Sequence, residues 1–407
     1  MSKTENRRIV PRLRFPEFLD SRSWKEQKLG TVLVFQVGFP FSSSFFSEDG
    51  KGVRLIRNRD LKSDDGVIYY SGEFDDQYLV KDGDFLVGMD GDFTPIIWRK
   101  GSALLNQRVG RVVVTRKAVS NFVYYSLMIR LKALESVTAK TTVKHLSHSD
   151  VENITELFPE PREQQKIADC LSSLDDLITL EAQKLNALKT HKKGLMQQLF
   201  PAEGETVPRL RFPEFRGAGE WEGKRLGDIG SVRMCKRILK EQTSPRGDIP
   251  FYKIGTFGGV PDAFISREIF ESFRNSYPFP KNGAVLISAA GTIGRTVRYN
   301  GELAYFQDSN IVWLDNNEDL VADNFLFYLY QLINWAPSVG AIQRLYNENI
   351  LGAKVKFPTI PEQQRIADCL ASLDDLITAQ TQQLTALKTH NKGLMQQLFP
   401  VMNGVDE

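Results

Sequence analysis

Apolar residues return at alternating four- and three-residue steps along residues 163–201. The positions are Ile167, Leu171, Leu174, Ile178, Leu185, Leu188, Leu195 and Leu199, with Glu181 and Lys192 as polar interruptions. The same spacing recurs along 362–400 at Ile366, Leu370, Leu373, Ile377, Leu384, Leu387, Leu394 and Leu398, interrupted by Gln380 and Asn391. A 3.5-residue period held over about five heptads specifies a coiled-coil seam rather than an ordinary amphipathic helix. Pro161 and Pro361 stand at the start of the two segments and Phe-Pro closes each, which suits a helix start and stop. At about 1.5 Å per residue, each helix should run roughly 55 Å. Neither can bury its stripe alone, so the two are expected to pair. An antiparallel pair with a modest stagger brings Glu181 to Asn391 and Gln380 to Lys192, a polar device that fixes register at some cost in stability. The alternative is that these four positions lie at a wet edge.

The two segments are near-copies, identical at about four positions in five, and lie about 200 residues apart. A second echo precedes each: PRLRFPEF at 11–18 and again at 208–215. The frame divides the chain into an N-terminal segment (1–23), a first domain (24–159), a first helical spacer (160–201) and a linker carrying the second PRLRFPEF (202–220). A second domain (221–358), a second spacer (359–400) and a tail (401–407) follow. The two domains differ strongly in sequence yet share a skeleton. Each opens on Trp and Leu-Gly (Trp24, Leu29, Gly30; Trp221, Leu226, Gly227). Each has a charged-Gly turn into a short apolar run (81–93 and 281–296), a strand-like stretch (104–115 and 305–314) and an aromatic helix from Ser120 or Asp323. Strands bounded by Gly turns, with one helix, read as mixed α/β domains. The fold class is therefore α+β, two such domains separated by two long helices. Antiparallel pairing would set the domains at opposite ends of a rod, the geometry for two half-sites with a defined spacer.

Composition narrows the class. The 407 residues, 42% apolar and 25% charged, are ordinary for globular protein and suffice for two or three domains. No run approaches the length of a membrane span, and the polar start is unlike a signal peptide, so a cytoplasmic protein is expected. Cys170 and Cys369 occupy one repeat position beside apolar neighbours and, with Cys235, are expected as buried thiols. A net charge of +2 excludes a strongly basic polyanion binder but not a local basic face.

With these motifs in place the layout resembles the specificity subunit of type I restriction–modification enzymes. In that family two target-recognition domains alternate with two near-identical helical regions. The resemblance rests on Gly-Phe-Pro-Phe at 38–41, Gly-Asp-x-Leu at 83–86, Leu-Asn-Gln-Arg-Val at 105–109 and, most specifically, Pro-x-x-Glu-Gln-Gln-x-Ile-Ala at each helix start. The first domain departs from the usual Gly-x-x-Gly hairpin, with Asp90 to Phe93 where the second has Gly291 to Gly294. The resemblance implies a bipartite, asymmetric double-stranded DNA target, one half per domain. It also implies two docked copies of an adenine-N6 methyltransferase subunit using S-adenosylmethionine, and an ATP- and Mg-dependent translocase and nuclease subunit. No cofactor is expected in this chain.

Arg reads guanine, Asn or Gln reads adenine, and Asp or Glu reads cytosine, whereas Lys and Arg on phosphates position without specifying. On those grounds the first domain's candidates are Arg57, Asn58, Arg59, Asp92, Phe93, Asn106, Gln107 and Arg108, with Lys140 and Lys144 for phosphate. In the second domain they are Lys253, Thr292, Arg295, Gln307, Asp308 and Asn310, with Arg344 for phosphate. For each, the bland reading is a solvated surface side chain or a turn cap. An [Asn/Asp]-Pro-Pro-aromatic methyltransferase motif is missing, and GTIGRT lacks the lysine and spacing of a phosphate-binding loop. Four histidines and no Cys-x-x-Cys argue against zinc, and Asp82-Gly-Asp84 and Asp90-Gly-Asp92 suit turns better than a metal. A noncatalytic subunit is expected. Three alternatives stay open: the equivalent subunit of a bifunctional cutting and methylating enzyme, a coiled-coil scaffold whose variable domains bind proteins, and a self-contained DNA enzyme.

Overall fold

The computed structural model describes residues 9–137, 145–335 and 343–400. The chain divides within its two long helices, Pro161–Leu199 and Ile360–Leu398, into two units: Met1–Gln183 with Gln382–Glu407, and Lys184–Thr381. Each unit therefore holds one mixed α/β domain, the first part of the helix that follows it, and the last part of the other long helix.

In the first unit an antiparallel four-stranded sheet has the order Leu33–Val37, Val109–Val114, Phe85–Gly88, Ile96–Ile97. In the second the order is Gly230–Met234, Ile311–Asn316, Val285–Ser288, Thr296–Arg298. The inner strands FLVG and VLIS are buried at every position, so they read as continuous apolar runs rather than alternating ones. Alternate residues still serve different cores. Phe85 and Val87, like Val285 and Ile287, face the aromatic helix. Leu86 and Leu286 face a second sheet on the opposite side. That second sheet has five strands in the first unit and three in the second among the described residues. A parallel pair is common to both: Val53–Ile56 with Ala103–Leu105, and Ile249–Tyr252 with Tyr305–Phe306.

The aromatic helices, Ser120–Val137 and Asp323–Tyr330, join each domain to the long helices. Phe122 stacks on Phe399 and Phe325 on Phe200, each at 5.2 Å between ring centres. Ile167 and Leu171 share the first core with Leu394 and Leu398, and Ile366 and Leu370 share the second with Leu195 and Leu199. Numbers rise along one helix as they fall along the other, so in each unit the long helices pair antiparallel. All seam positions of the 3.5-residue repeat are buried or half-buried, Glu181, Gln380, Lys192 and Asn391 included.

The expected polar partners are different, however. Asn391 Nδ2 donates to Asp175 Oδ1 at 2.7 Å and Lys192 Nζ to Asp374 Oδ1 at 2.5 Å. Those aspartates lie six positions ahead of Glu181 and Gln380. Glu181 instead accepts from Gln383 at 3.3 Å, and Gln380 is buried. The stagger is set where Phe399 and Phe200 seat against the aromatic helices, since ring packing there buries far more apolar area than one polar pair.

The short echo has its own structural reason. Arg14 makes a bidentate pair with Glu163, and Arg211 makes the same pair with Glu362, all four contacts at 2.7 Å. The next residue of each helix motif, Gln164 or Gln363, accepts from the backbone N–H of Val119 or Ala322 at the start of the aromatic helix. PRLRFPEF and Glu-Gln-Gln are thus two halves of one clasp, repeated because the clasp is repeated. Cys170 and Cys369 are half-buried rather than buried, while Cys235 is buried and its thiol is pushed up to about 12 by desolvation.

Candidate nucleic-acid interface

At the end of each inner strand three backbone segments lie side by side. In the first unit the Met89 N–H donates to the Arg108 carbonyl, and the Leu146 N–H to the Met89 carbonyl. In the second the Ala289 N–H donates to Asn310 and the Leu345 N–H to Ala289. Isolated bridges extend both ladders, Asp90 to His145 and Ala290 to Arg344. The correspondence is backbone to backbone: Asp90 with Ala290, Asp92 with Thr292, Arg108 with Asn310, His145 with Arg344. The second unit's entry loop is one residue longer. Ser309, at φ 58°, absorbs the extra residue in a left-handed turn.

The side chains on this shared frame are unlike. In the first unit His145 Nδ1 lies 2.9 Å from Asp90 Oδ1, and Arg108 Nη1 lies 3.5 Å from the same oxygen. Asp92 pairs with Lys62 at 2.6 Å and accepts from the Thr94 N–H. The Lys62 hydrogen bond first, then Thr94, hold its carboxyl down to about 2. Gln107, Arg108, His145 and Lys62 are exposed. In the second unit Ala290 removes the carboxylate and Thr292 is exposed. Arg344 donates to the Ser309 carbonyl at 2.6 Å, and Arg237 pairs with Asp308 at 3.1 Å while 69% exposed. One surface is an acid network answered by cations; the other presents arginine, amide and hydroxyl groups. Both surfaces present side-chain donors and acceptors of the kinds that contact base edges and phosphates.

Several expected readers lie elsewhere. Phe93 is 1% exposed and belongs to the core, because the loop turns its ring inward under the sheet. Arg57 is tied to Asp60 and to the Gly66 carbonyl. Asn58 supports the loop from beneath, donating to the Asp90 carbonyl at 2.8 Å. Asn106 accepts from the Gln107 N–H and braces its own turn, while Gln307 accepts from the Ile254 N–H just beyond the neighbouring parallel strand Ile249–Tyr252. Lys253 pairs with Asp262, and Arg295, though exposed, donates to the Phe257 carbonyl. Arg59 is 65% exposed. Lys140 and Lys144 lie outside the described residues. Arg108 does reach the 90–92 loop and Arg344 the 308–310 loop, whereas Thr292 lines a groove with Arg295, Tyr328 and Asp374. Sequence reasoning missed Asp90, Lys62, His145 and Arg237 as members. The available signal was that His145 and Arg344 each precede a leucine just ahead of a short helix.

Among the described residues no cluster of three or more His, Cys, Asp or Glu can hold a metal ion, and no helix is long and apolar enough to cross a membrane.

Comparison with known proteins decides the lineage. Residues 22–190 and 218–389 both match the type I restriction modification DNA specificity domain. The chain belongs to this family. A putative type I restriction enzyme specificity subunit of Haemophilus influenzae is 37% identical over 80% of this chain and 84% of its own length. The MjaVIII specificity subunit of Methanocaldococcus jannaschii is 22% identical over 98% of this chain and 96% of its own. Among solved structures, the S subunit of a type I restriction-modification system from M. genitalium has the same fold. It superposes with a TM-score of 0.65 at 16% identity, covering 97% of this chain and 100% of that one. The chain is thus a type I specificity subunit with two target-recognition domains.

Proposed function

We propose that each unit reads one half of a bipartite, asymmetric DNA target, and that the chain itself catalyses nothing. On this reading it docks two copies of an adenine-N6 methyltransferase subunit, which use S-adenosylmethionine. An ATP- and Mg-dependent translocase and nuclease subunit joins them in the cytoplasm. The observation that carries the proposal is the pairing of one backbone frame with two different side-chain sets. A duplicated scaffold for catalysis would keep its chemical groups alike in both copies. A duplicated scaffold for reading two different half-sites would keep the backbone and change the side chains that touch base edges.

Methylome sequencing of the host with the gene intact and deleted tests this. Loss of a single bipartite N6-methyladenine motif is expected. Arg108→Ala should then lower methylation about 10- to 100-fold, or relax the motif, in one half only, since a good bidentate base contact is worth about 1–3 kcal/mol of discrimination. Changes in both halves would break the two-reader reading. An unchanged methylome, with the methyltransferase expressed, would favour the coiled-coil scaffold that binds proteins.

A further inference from the structure

One arrangement occurs in both units, and in the second its Lys192, Tyr328 and Asp374 line one groove with Thr292 and Arg295. Tyr125, on the aromatic helix of the first unit, donates its hydroxyl to Asp175 Oδ2 at 2.7 Å. The other oxygen of Asp175 accepts from Asn391 on the second long helix at 2.7 Å. In the second unit Tyr328 donates to Asp374 Oδ2 at 2.9 Å, and Asp374 Oδ1 takes Lys192 at 2.5 Å. Lys192 Nζ also stands 5.2 Å over the ring of Tyr328. A single carboxylate thus ties three elements: the recognition domain, the long helix that follows it, and the long helix that does not.

We propose that Tyr125, Asp175 and Asn391, and likewise Tyr328, Asp374 and Lys192, are positioning residues that hold each recognition domain at one angle on the long helices, and thereby set the spacer length the protein accepts. The inference rests on the bipartite reading. The aromatic helices dock on the long helices chiefly through ring packing, Phe122 on Phe399 and Phe325 on Phe200, and apolar burial is itself non-directional. Hydrogen bonds to an ionised carboxylate are directional and short, and here both oxygens are committed. The phenols are suited to permanent donation. Burial, then the bond to Asp175 or Asp374, pushes their ionisation well above the usual tyrosine range. The same aromatic helix packs on the inner strand whose far end carries the reading loop, through Phe85 and Val87 in one unit and Val285 and Ile287 in the other. A change of pose at the tyrosine therefore moves that loop. DNA rises roughly 3.4 Å per base pair, so a displacement of a few ångströms is a whole pair of spacer.

The test uses the full-length chain assembled with its methyltransferase subunit, and removes only two hydroxyls, Tyr125→Phe with Tyr328→Phe. Methylation rates are compared on the target defined by the methylome and on the same target with its spacer one pair shorter or longer. The ratio of altered-spacer to cognate rate should rise at least about fivefold, with the bases required in each half unchanged. A ratio equal to the parent's in a variant that still methylates the cognate target overturns the inference. Loss of cognate methylation with loss of half-site selectivity overturns it too, since that is a folding defect. Absence of any bipartite methylation by the parent would instead refute the two-reader proposal.

Discussion

In the first unit the loop after the inner strand carries Asp90 and Asp92, answered by Arg108, His145 and Lys62. In the second the same backbone positions carry Ala290 and Thr292, beside Asn310 and Arg344. Beneath them the clasp Arg14–Glu163 is matched atom for atom by Arg211–Glu362. In these two places, duplication has been held where side chains meet side chains of the frame and released where they meet solvent. The physical reason is the cost of change. Removing one partner of a buried pair strands the other charge, whereas exchanging an exposed Arg for an Asn costs the fold little.

The largest expected effect comes from breaking the shared frame. Arg211 and Glu362 side chains are 8% and 1% exposed, so Arg211→Ala leaves a carboxylate buried without its cation. It should destabilise the second unit by about 3–5 kcal/mol. Hydrogen exchange should show protection lost in the second unit and kept in the first. Arg14→Ala should do the reverse with a somewhat smaller loss, because Trp24 Nε1 also reaches Glu163, at 3.3 Å, while Trp221 Nε1 has no partner. Loss spread equally over both units would mean that the clasps are not local.

A smaller effect separates the units by pH. Asp323 opens the second aromatic helix where the first has Ser120, and burial, then the nearby Glu318, raises its carboxyl to about 6. A carboxyl raised above its unfolded value binds its proton more tightly when folded, so stability falls as pH rises from about 4 to about 6 and stays lower above that. Asp323→Asn should match the parent near pH 4 and exceed it at pH 7.5 by about 1–3 kcal/mol, one pKa unit being worth about 1.4 kcal/mol. Melting curves at the two pH values decide it. A constant offset would show that the side chain matters for packing rather than charge.

How much of this was legible in the chain follows from which forces leave a pattern. The seam repeats every 3.5 residues because helix geometry requires it, so Ile167 through Leu199 could be read directly, and their duplication exposed the frame. The polar register could not be read the same way. Asp175 and Asp374 stand beside the seam, not in it, and their partners depend on a stagger set by Phe399 and Phe200 at the helix ends. Individual readers were hardest. Arg57 and Arg108 look alike in sequence, yet one is spent on Asp60 and the other faces outward. His145 and Arg344 close their domains at matching places in the sequence, but only the ladder to Met89 and Ala289 shows that they border the loops after the inner strands.

The mildest change sharpens the comparison at the tyrosine nodes, where the units differ by one residue, Asn391 against Lys192. The Oδ1 atom of Asn391 is buried without a hydrogen-bond partner, while Lys192 satisfies its carboxylate and covers a ring. Asn391→Lys removes the orphaned oxygen and adds an ion pair to Asp175. Against it stand the cations of the surrounding groove, Arg12, Arg130, Lys132, Lys388 and Lys392. Arg130 is already neutralised by Glu156 at 2.7 Å, and Lys132, Lys388 and Lys392 are exposed, where salt screens them over about 8–10 Å. The direct contact should therefore win, stabilising the first unit by about 0.5–1 kcal/mol. That corresponds to a rise in melting temperature of roughly 2–4 °C at most for a unit of this size. The reciprocal Lys192→Asn should lower the second unit by a similar amount. Destabilisation by Asn391→Lys at low salt that vanishes at high salt would show that the groove's charge, rather than the node, chose asparagine here.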